Sequence, residues 1–150
     1  MPTVSDLSAH LGYLLRMTSN AVSQDFARAV ADAGVTVAEW TMLRSLYGSE
    51  ALAPSVLALK MALTRGAISK LADRLLEKQF IERTGNLDDK RGHSLSLTTS
   101  GEKKVPTLAR IADANDAAFF SVLNDDERMT LRRILKVLID KHQLTATPTD

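Results

Sequence analysis

The 150-residue sequence contains no cysteine, and this absence excludes disulfide bonds, thiolate metal sites and thiol redox chemistry. No uninterrupted apolar run approaches the roughly 18 residues of a membrane-spanning helix. The first ten residues lack the basic and apolar regions of a signal peptide. We therefore expect a cytoplasmic protein that has no membrane partner.

Motifs that would organise an enzyme or a metal site are also missing. No segment resembles a nucleophile elbow or a phosphate-binding loop. The three histidines, His10, His93 and His142, lie far apart and have no carboxylates at ligand spacing. The sequence predicts a protein that is not an enzyme and that uses neither a metal ion nor a cofactor.

The composition is that of an ordinary folded domain, with 45% apolar and 25% charged residues. The net charge of +1 argues against a chain that coats nucleic acid along its whole surface. Between Lys60 and His93, however, eight Lys or Arg and five Asp or Glu leave a local charge of +3, so the remainder carries −2. This asymmetry points to an anionic partner for the middle of the chain.

Two helices are predicted at the start of the chain. Apolar residues spaced by three and four from Leu7 to about Ala33 predict one long amphipathic helix, which Gly34 is placed to end. Thr36 and Glu39 then have capping-box spacing, so a second helix should run from about residue 37 to 47. Val35 and Trp40 occupy the hydrophobic-staple positions around this cap.

Two shorter elements and a hairpin follow. Pro54 suits the first turn of a third helix, and Thr64 can cap a fourth, "RGAISKLADRLLEKQ". In the fourth helix one face is an apolar stripe, whereas Arg65, Gly66, Ser69, Lys70, Asp73 and Arg74 lie mostly off it. Short alternating runs, "FIERTG" and "HSLSLT", predict a two-stranded hairpin with "NLDDKRGH" at its tip.

Two long helices are predicted to close the chain. Thr98 or Thr99 can cap the first, which should run to about Leu123. Pro106 either kinks this helix or marks its true start. A capping-box-like pair, Asn124 and Glu127, precedes a last helix that should end near residue 142.

The order of these elements describes a mainly α protein with a small β-hairpin wing, a winged helix-turn-helix in a single domain of residues 1–150. The flanking helices have more apolar surface than a core of this size can cover. This excess favours association with a partner, most simply a second copy of the chain.

The segment "LTRGAISKLADRLLEKQFIERTGNLDDKRGHSLSLTTSGEKKV" resembles the MarR family of transcription regulators. The matching features are Ser69 through Leu75, "IER", "DDKR" and "LSLTTSG", together with the helix order. The resemblance implies a DNA-binding part at about residues 36–98, flanked by dimerisation helices at about 5–33 and 99–143. It also implies a homodimeric regulator, usually a repressor, that binds a near-palindromic operator and is released by a small aromatic or phenolic molecule.

The sequence departs from the family pattern at two places. Gln79 stands where the family usually has Gly, so the fourth helix must end in another way or Gln79 must adopt a left-handed conformation at a cost of about 1 kcal/mol. The segment "ALAPSVLALKMA" is a loose match to the family's third helix.

The residues expected to meet DNA lie on the fourth helix and at the wing tip. A helix fits the major groove with its N-terminal residues at the base edges, which favours Arg65, Ser69 and Lys70, with Gly66 allowing close approach. Further DNA-binding candidates are Thr64, Arg74, Lys90 and Arg91, the last two for the minor groove. The resemblance implies that Asp89 holds the wing in shape by pairing with an arginine, for which Arg74, Arg83 and Arg91 are candidates. The alternatives are a solvated helix face and an ordinary surface turn.

An effector pocket is expected beside the dimer interface, where the resemblance places a cleft between the first two helices. Its candidate residues are Tyr13, Arg16, Trp40 and Tyr47, because aromatic rings with a polar edge suit such a pocket. The alternative is structural: Trp40 is already explained as a staple residue, and Tyr13 fits the dimer core or the surface.

Two other functions remain open at this stage. The modest net charge is compatible with a winged-helix module whose wing and recognition face bind protein rather than DNA. Among regulators, a protein that senses no ligand, or one that activates transcription, has the same sequence features.

Overall fold

Six α-helices and one two-stranded hairpin make up the part of the chain that the structure, a computed structural model, describes: residues 1, 3–85 and 92–150. The helices and strands, in chain order, are α1 (Leu11–Asp32), α2 (Val37–Leu46), α3 (Pro54–Met61), α4 (Arg65–Glu77), β1 (Ile81–Thr84), β2 (Ser94–Leu97), α5 (Thr99–Phe119) and α6 (Asp125–Lys141). Single 3₁₀ turns cover Leu7–Ala9 and Phe120–Val122. The predicted fold class, a mainly helical winged helix-turn-helix, is confirmed.

The first helix begins later than its apolar spacing indicated. His10 has an extended backbone, with φ −95° and ψ 124°, and separates the turn Leu7–Ala9 from α1. The predicted start at Leu7 was therefore wrong. Leu7 and Leu11 are largely exposed, so no burial holds them in one continuous helix, and His10 Nδ1 instead lies 3.3 Å from the Leu7 carbonyl oxygen.

The end of α1 and the start of α2 agree with the predicted signals. Gly34 has φ +89°, and the Val35 amide donates to the Val30 carbonyl at 3.2 Å, which closes the helix end. The capping box is complete: the Glu39 amide donates to Thr36 Oγ1 at 3.1 Å, and the Thr36 amide donates to Glu39 Oε1 at 2.9 Å. Val35 is buried, and Trp40 packs against the same core.

Helix α4 begins and ends through local hydrogen bonds. Thr64 Oγ1 accepts from the Ala67 amide at 3.1 Å, as predicted for its cap. At the other end, Gln79 is left-handed with φ +63°, and the amides of Gln79 and Phe80 donate to the carbonyls of the helix's last turn at 3.0 and 3.1 Å. This is a Schellman ending with glutamine in the position that favours glycine, the second of the two alternatives for Gln79.

The two strands of the hairpin pair in one register, and the backbone of Leu52 forms an additional bridge to β2. Ile81 pairs with Leu97, and Thr84 pairs with Ser94 in the antiparallel ladder. Leu52, before α3, exchanges both backbone hydrogen bonds with Leu95, at 2.9 and 2.8 Å. No local sequence pattern indicates this bridge, which ties the loop before α3 to the outer side of β2.

The last two helices follow their predicted caps. Thr98 Oγ1 accepts from the Gly101 amide at 3.1 Å, so Thr98 rather than Thr99 is the cap of α5. Pro106 lies inside α5 and therefore does not mark its start. Asn124 and Glu127 form a second complete capping box, with hydrogen bonds of 2.8 and 3.0 Å, at the start of α6.

The hydrophobic core lies between α2, α3, α4, the hairpin and the first half of α5. Its buried members are Val30, Val35, Met42, Leu43, Leu46, Leu57, Met61, Ile68, Leu71, Ala72, Leu75, Ile81, Leu95, Leu97, Val105 and Leu108. α6 contributes no buried residue, and α1 contributes only Val30, close to its end. The core therefore stabilises the winged helix, while most of α1 and all of α6 lie outside it.

Candidate nucleic-acid interface

The outer face of α4 is exposed and carries three cations and two carboxylates, namely Arg65, Lys70, Arg74, Asp73 and Glu77. Ile68, Leu71 and Leu75 on the opposite face are essentially fully buried, and this anchors the helix on the core. The exposed face carries the predicted contact residues, namely Arg65, Gly66, Ser69, Lys70 and Arg74. Helical periodicity thus separates a packing face from a face that is free to contact a partner.

The first turn of α4 combines a fixed cap with free space. Thr64 Oγ1 caps the helix by accepting a hydrogen bond from the Ala67 amide. A Cβ added at Gly66 would meet no atom closer than Thr64 Oγ1 at 4.0 Å. The fold itself therefore does not require glycine at position 66, and the space above it is open to a partner.

An ion pair joins α4 to the first strand of the hairpin. Arg83 on β1 donates to Asp73 Oδ1 at 3.4 Å. Both side chains are largely exposed, so the pair adds little stability, but it links the orientation of β1 to that of α4. Neither partner had been assigned this contact from sequence. The predicted wing residues Asp89, Lys90 and Arg91 lie outside the described residues.

A second ion pair holds the C-terminal end of α4. Lys78 Nζ lies 2.8 Å from Glu39 Oε2 and donates to the Gly34 carbonyl oxygen at 2.8 Å. Glu39 is 1% exposed, and its other carboxylate oxygen accepts from the Thr36 amide. This arrangement, which we call the Glu39–Lys78 clamp, joins the end of α1, the start of α2 and the end of α4.

The clamp also sets the ionisation of its carboxylate. Burial alone would raise the pKa of Glu39, but the hydrogen bond and positive charge of Lys78, with the hydrogen bonds from Thr36, together lower it below its usual value of 4.5. Glu39 is therefore ionised at neutral pH. The sequence shows Glu39 as a capping residue, but its pairing with a lysine 39 positions later depends on the fold.

A cavity of about 450 Å³ opens between α1, α2 and the end of the chain; we call it the Trp40 cavity. Phe26, Val37 and Trp40 form its apolar wall, and Arg44 and Lys60 supply cationic groups. Its remaining lining residues are Ser23, Thr41, Ser45, Thr147, Pro148 and Asp150. A neighbouring cavity of about 250 Å³ shares Ser23, Phe26 and Trp40 and is completed by α5.

The four predicted pocket residues do not come together. Trp40 lines both of these cavities. Tyr13 and Arg16 lie in the exposed first half of α1, and Tyr47 lies beyond the end of α2, where the Arg44 guanidinium sits 5.8 Å from its ring centre. Phe26, Arg44 and Lys60 were not selected from sequence, because their convergence depends on how α1, α2 and α3 pack.

The described residues offer neither a metal site nor a membrane span. No group of three or more His, Asp or Glu side chains there could hold a metal ion. In the same ranges, no helix is long and apolar enough to cross a bilayer.

Comparison with known proteins identifies the family. The family model described as "MarR family" matches residues 35–93. A putative transcriptional regulatory protein for the hcr operon of Thauera aromatica is 35% identical over 136 residues, which cover 88% of this chain and 80% of that protein. This chain belongs to the MarR family.

A further relative and a solved structure agree with this assignment. The HTH-type transcriptional repressor MdtR of Bacillus subtilis is 28% identical over 134 residues, covering 89% of this chain and 86% of that protein. The crystal structure of a mutant of Escherichia coli MarR complexed with operator DNA superposes with a TM-score of 0.73, at 26% identity, covering 86% of this chain and 93% of that one. The chain is a DNA-binding transcriptional regulator of the MarR family and not an enzyme.

The residues that match the family model correspond to the helices and the first strand of the winged helix. Residues 35–93 begin at the staple residue before α2 and reach the second strand of the wing, so they span the α2–α4 unit and the first strand. The alignments to full-length relatives also include most of the flanking helices.

Proposed function

We propose that the protein is a homodimeric cytoplasmic repressor whose two α4 helices bind successive major grooves of a near-palindromic operator. The observation that carries this proposal is the exposed face of α4 with the cations Arg65, Lys70 and Arg74. The helix is anchored on the core at its other face and is held at its end by the Glu39–Lys78 clamp. Two such helices would lie about one DNA turn apart, roughly 34 Å. The relative in Bacillus subtilis, named a repressor, supports the sign of the regulation.

Within this proposal, Arg65, Ser69 and Lys70 contact base edges and phosphates from the first turns of α4, and Arg74 follows the backbone further along. Thr64 serves mainly as the cap, and Gly66 allows a phosphate or sugar to approach. Lys90 and Arg91 remain proposed minor-groove contacts of the wing, and Asp89 remains its proposed brace.

A gel shift with DNA fragments from upstream of the protein's own coding region tests this function. Lys70→Ala should weaken operator binding about 5- to 100-fold and reduce the dependence on salt by roughly one unit of slope, because a phosphate-facing charge is lost. The matched control is Lys136→Ala, an exposed lysine on α6. Equal loss in both variants, or binding that is indifferent to DNA sequence at physiological salt, would contradict the proposal and favour the protein-interaction alternative.

The dimer is proposed from the apolar surface that the core leaves uncovered. Leu11, Leu14 and Leu15 on α1, with Ile134 and Leu138 on α6, are each 40% or more exposed. Surfaces of this kind on two flanking helices are typical of an interface between copies. Leu138→Glu should shift the protein toward monomer in analytical ultracentrifugation, whereas Arg133→Glu, at an exposed polar position of the same helix, should not.

Release of DNA by a small molecule is proposed from the Trp40 cavity. Aromatic and aliphatic side chains with two nearby cations suit a small aromatic acid or phenol, and the volume lies within the usual range of ligand sites. Aromatic acids and phenols should therefore release operator DNA in the gel shift. If no such compound does so at millimolar concentration, the alternative of a regulator that senses no ligand is favoured.

A further inference from the structure

The first turn of α2 takes part in two different contacts. Val37 and Trp40 form part of the apolar wall of the Trp40 cavity. Glu39, in the same turn, is 1% exposed and forms an ion pair with Lys78. Its Oε1 accepts from the Thr36 amide at 2.9 Å, so the carboxylate is bonded to the backbone at the start of the helix. A movement of this turn therefore displaces the cavity wall and the Glu39 carboxylate together.

The Glu39–Lys78 clamp connects this turn to α4. Lys78 is the C-terminal capping residue of α4, and its Nζ lies 2.8 Å from Glu39 Oε2 and 2.8 Å from the Gly34 carbonyl oxygen. Gly34 follows α1, whose Phe26 is also part of the cavity wall. In the described ranges, no residue that lines the cavity belongs to α4. The clamp thus joins two walls of the cavity to a helix that lies outside it.

The bonds of the clamp are suited to pass on a displacement because they are directional. A charge-assisted hydrogen bond is stronger than a neutral one and fixes the geometry of its two partners, whereas apolar packing is non-directional. Glu39 is buried, so opening the pair would leave a carboxylate without its cation. The pair therefore stays closed when the first turn of α2 moves, and the end of α4 moves with it.

We propose that Lys78 is a positioning residue that couples the Trp40 cavity to α4, so that a change in the cavity and a change in the orientation of α4 occur together. This inference rests on the proposed binding of DNA by α4 and adds the link through which the cavity acts on it. Coupling between two sites is reciprocal, so a molecule in the cavity and DNA bound to α4 weaken each other's binding by the same factor. Without the ammonium group of Lys78, both sites bind but no longer affect each other.

Trp40 reports on this coupling without any effector. The chain contains no other tryptophan, so selectively excited emission arises from the cavity wall alone. The DNA fragment that binds in the gel shift should lower the acrylamide quenching of Trp40 in the original chain, because bound DNA favours the state with less room for a ligand. The same DNA should leave the quenching unchanged in Lys78→Met and should lower it in Lys78→Arg, which keeps a cation that can donate to Glu39. Equal responses of the original chain and Lys78→Met, or no response in the original chain, would overturn the coupling.

Benzoate is the probe for the opposite direction of the coupling. The measured quantity is the ratio of the operator Kd with saturating benzoate to the Kd without it, at equal ionic strength. In the original chain this ratio should lie in the range of roughly 5 to 150 that is typical of coupled sites, and in Lys78→Met it should fall to about 1. Calorimetric titration without DNA should show that Lys78→Met still binds benzoate. Because the ratio is formed within each variant, a change in basal operator affinity cancels.

Two controls separate the coupling from a loss of stability or of charge. Asn124→Ala removes the cap of α6 and should lower the stability while keeping the response of Trp40 to DNA. Lys136→Met makes the same substitution at an exposed lysine of α6 and should also keep the response. Loss of the response in either control would contradict a specific role of Lys78.

The outcomes distinguish this proposal from the proposed function. If the original chain binds no DNA fragment sequence-specifically, the repressor is refuted, and the coupling of the cavity to bound DNA falls with it. Intact operator binding with equal Trp40 responses in the original chain and Lys78→Met would keep the repressor and overturn the coupling. If benzoate does not release operator DNA while DNA still changes Trp40 in the original chain and not in Lys78→Met, the effector role of benzoate is refuted and the coupling stands.

Discussion

The Glu39–Lys78 clamp provides the most specific test of how the recognition helix is held. In Lys78→Met the long side chain remains, but the ammonium group that bonds to Glu39 Oε2 and to the Gly34 carbonyl is lost. Glu39 is then a buried carboxylate without its cation. Its Oε1 still accepts from the Thr36 amide, so the capping box is preserved while the link to α4 is broken.

The expected loss of stability follows from the burial of the two partners. Removing one partner of a fully buried ion pair costs roughly 3–5 kcal/mol, because the other charge is left buried. Lys78 is 36% exposed, so water can reach the vacated position, and we reduce the expected loss to about 2 kcal/mol. For a chain of this size, that loss corresponds to a fall in Tm of about 4–8 °C.

Urea unfolding followed by circular dichroism measures this change, and a double-mutant cycle isolates the pair. Glu39→Gln removes the charge and leaves only a partly exposed lysine, so it should cost less than Lys78→Met. The double variant should be less destabilised than the sum of the two single changes. An additive cycle, or a Lys78→Met protein as stable as the original, would show that the pair does not hold α4 in solution.

The remaining predictions concern pH and backbone geometry. Folding lowers the pKa of Glu39, so this carboxylate stabilises the protein fully above about pH 4.5, and its contribution is lost as the pH falls through the folded-state pKa. Below pH 4.5, the urea midpoint of Glu39→Gln should therefore fall less steeply with pH than that of the original chain. Gly101→Ala should lower the free energy of unfolding by about 3 kcal/mol or more, because the new Cβ would lie 2.0 Å from the Phe80 carbonyl oxygen. Gly66→Ala should preserve stability yet weaken operator binding, because a Cβ there meets only open space. Equal urea midpoints for the two variants would contradict this contrast. Gln79→Gly should raise the free energy of unfolding by up to about 1 kcal/mol by relieving the left-handed glutamine, and a lowered urea midpoint would refute that reason.

The caps of the helices were predictable because their hydrogen bonds join residues three positions apart. Thr36 with Glu39, and Asn124 with Glu127, form the capping boxes that their spacing indicates. The apolar stripe of α4 likewise faces the core as its period predicts. In each case the physical cause lies within one or two helical turns, so the sequence alone contains it.

The start of α1 shows where periodicity misleads. Leu7 and Leu11 have helical spacing, but a helix gains from this spacing only when the apolar face is buried, and both residues are exposed in the single chain. Local bonding around His10 then decides the backbone. At Pro106, by contrast, the helix continues although proline often ends a helix. Val105 and Leu108, on either side of Pro106 in α5, are buried in the core.

The helix caps and the order of the elements thus predict a winged helix-turn-helix from sequence, because these features depend on neighbouring residues, and the DNA-binding regulator follows from the resemblance to the MarR family. The contacts that position the site depend on residues far apart in the chain. Lys78 meets Glu39, Leu52 meets Leu95, and Thr41 meets Pro148 across 39, 43 and 107 positions. No local pattern specifies such partners, since only the packing of the whole chain brings their side chains and backbones within hydrogen-bonding distance.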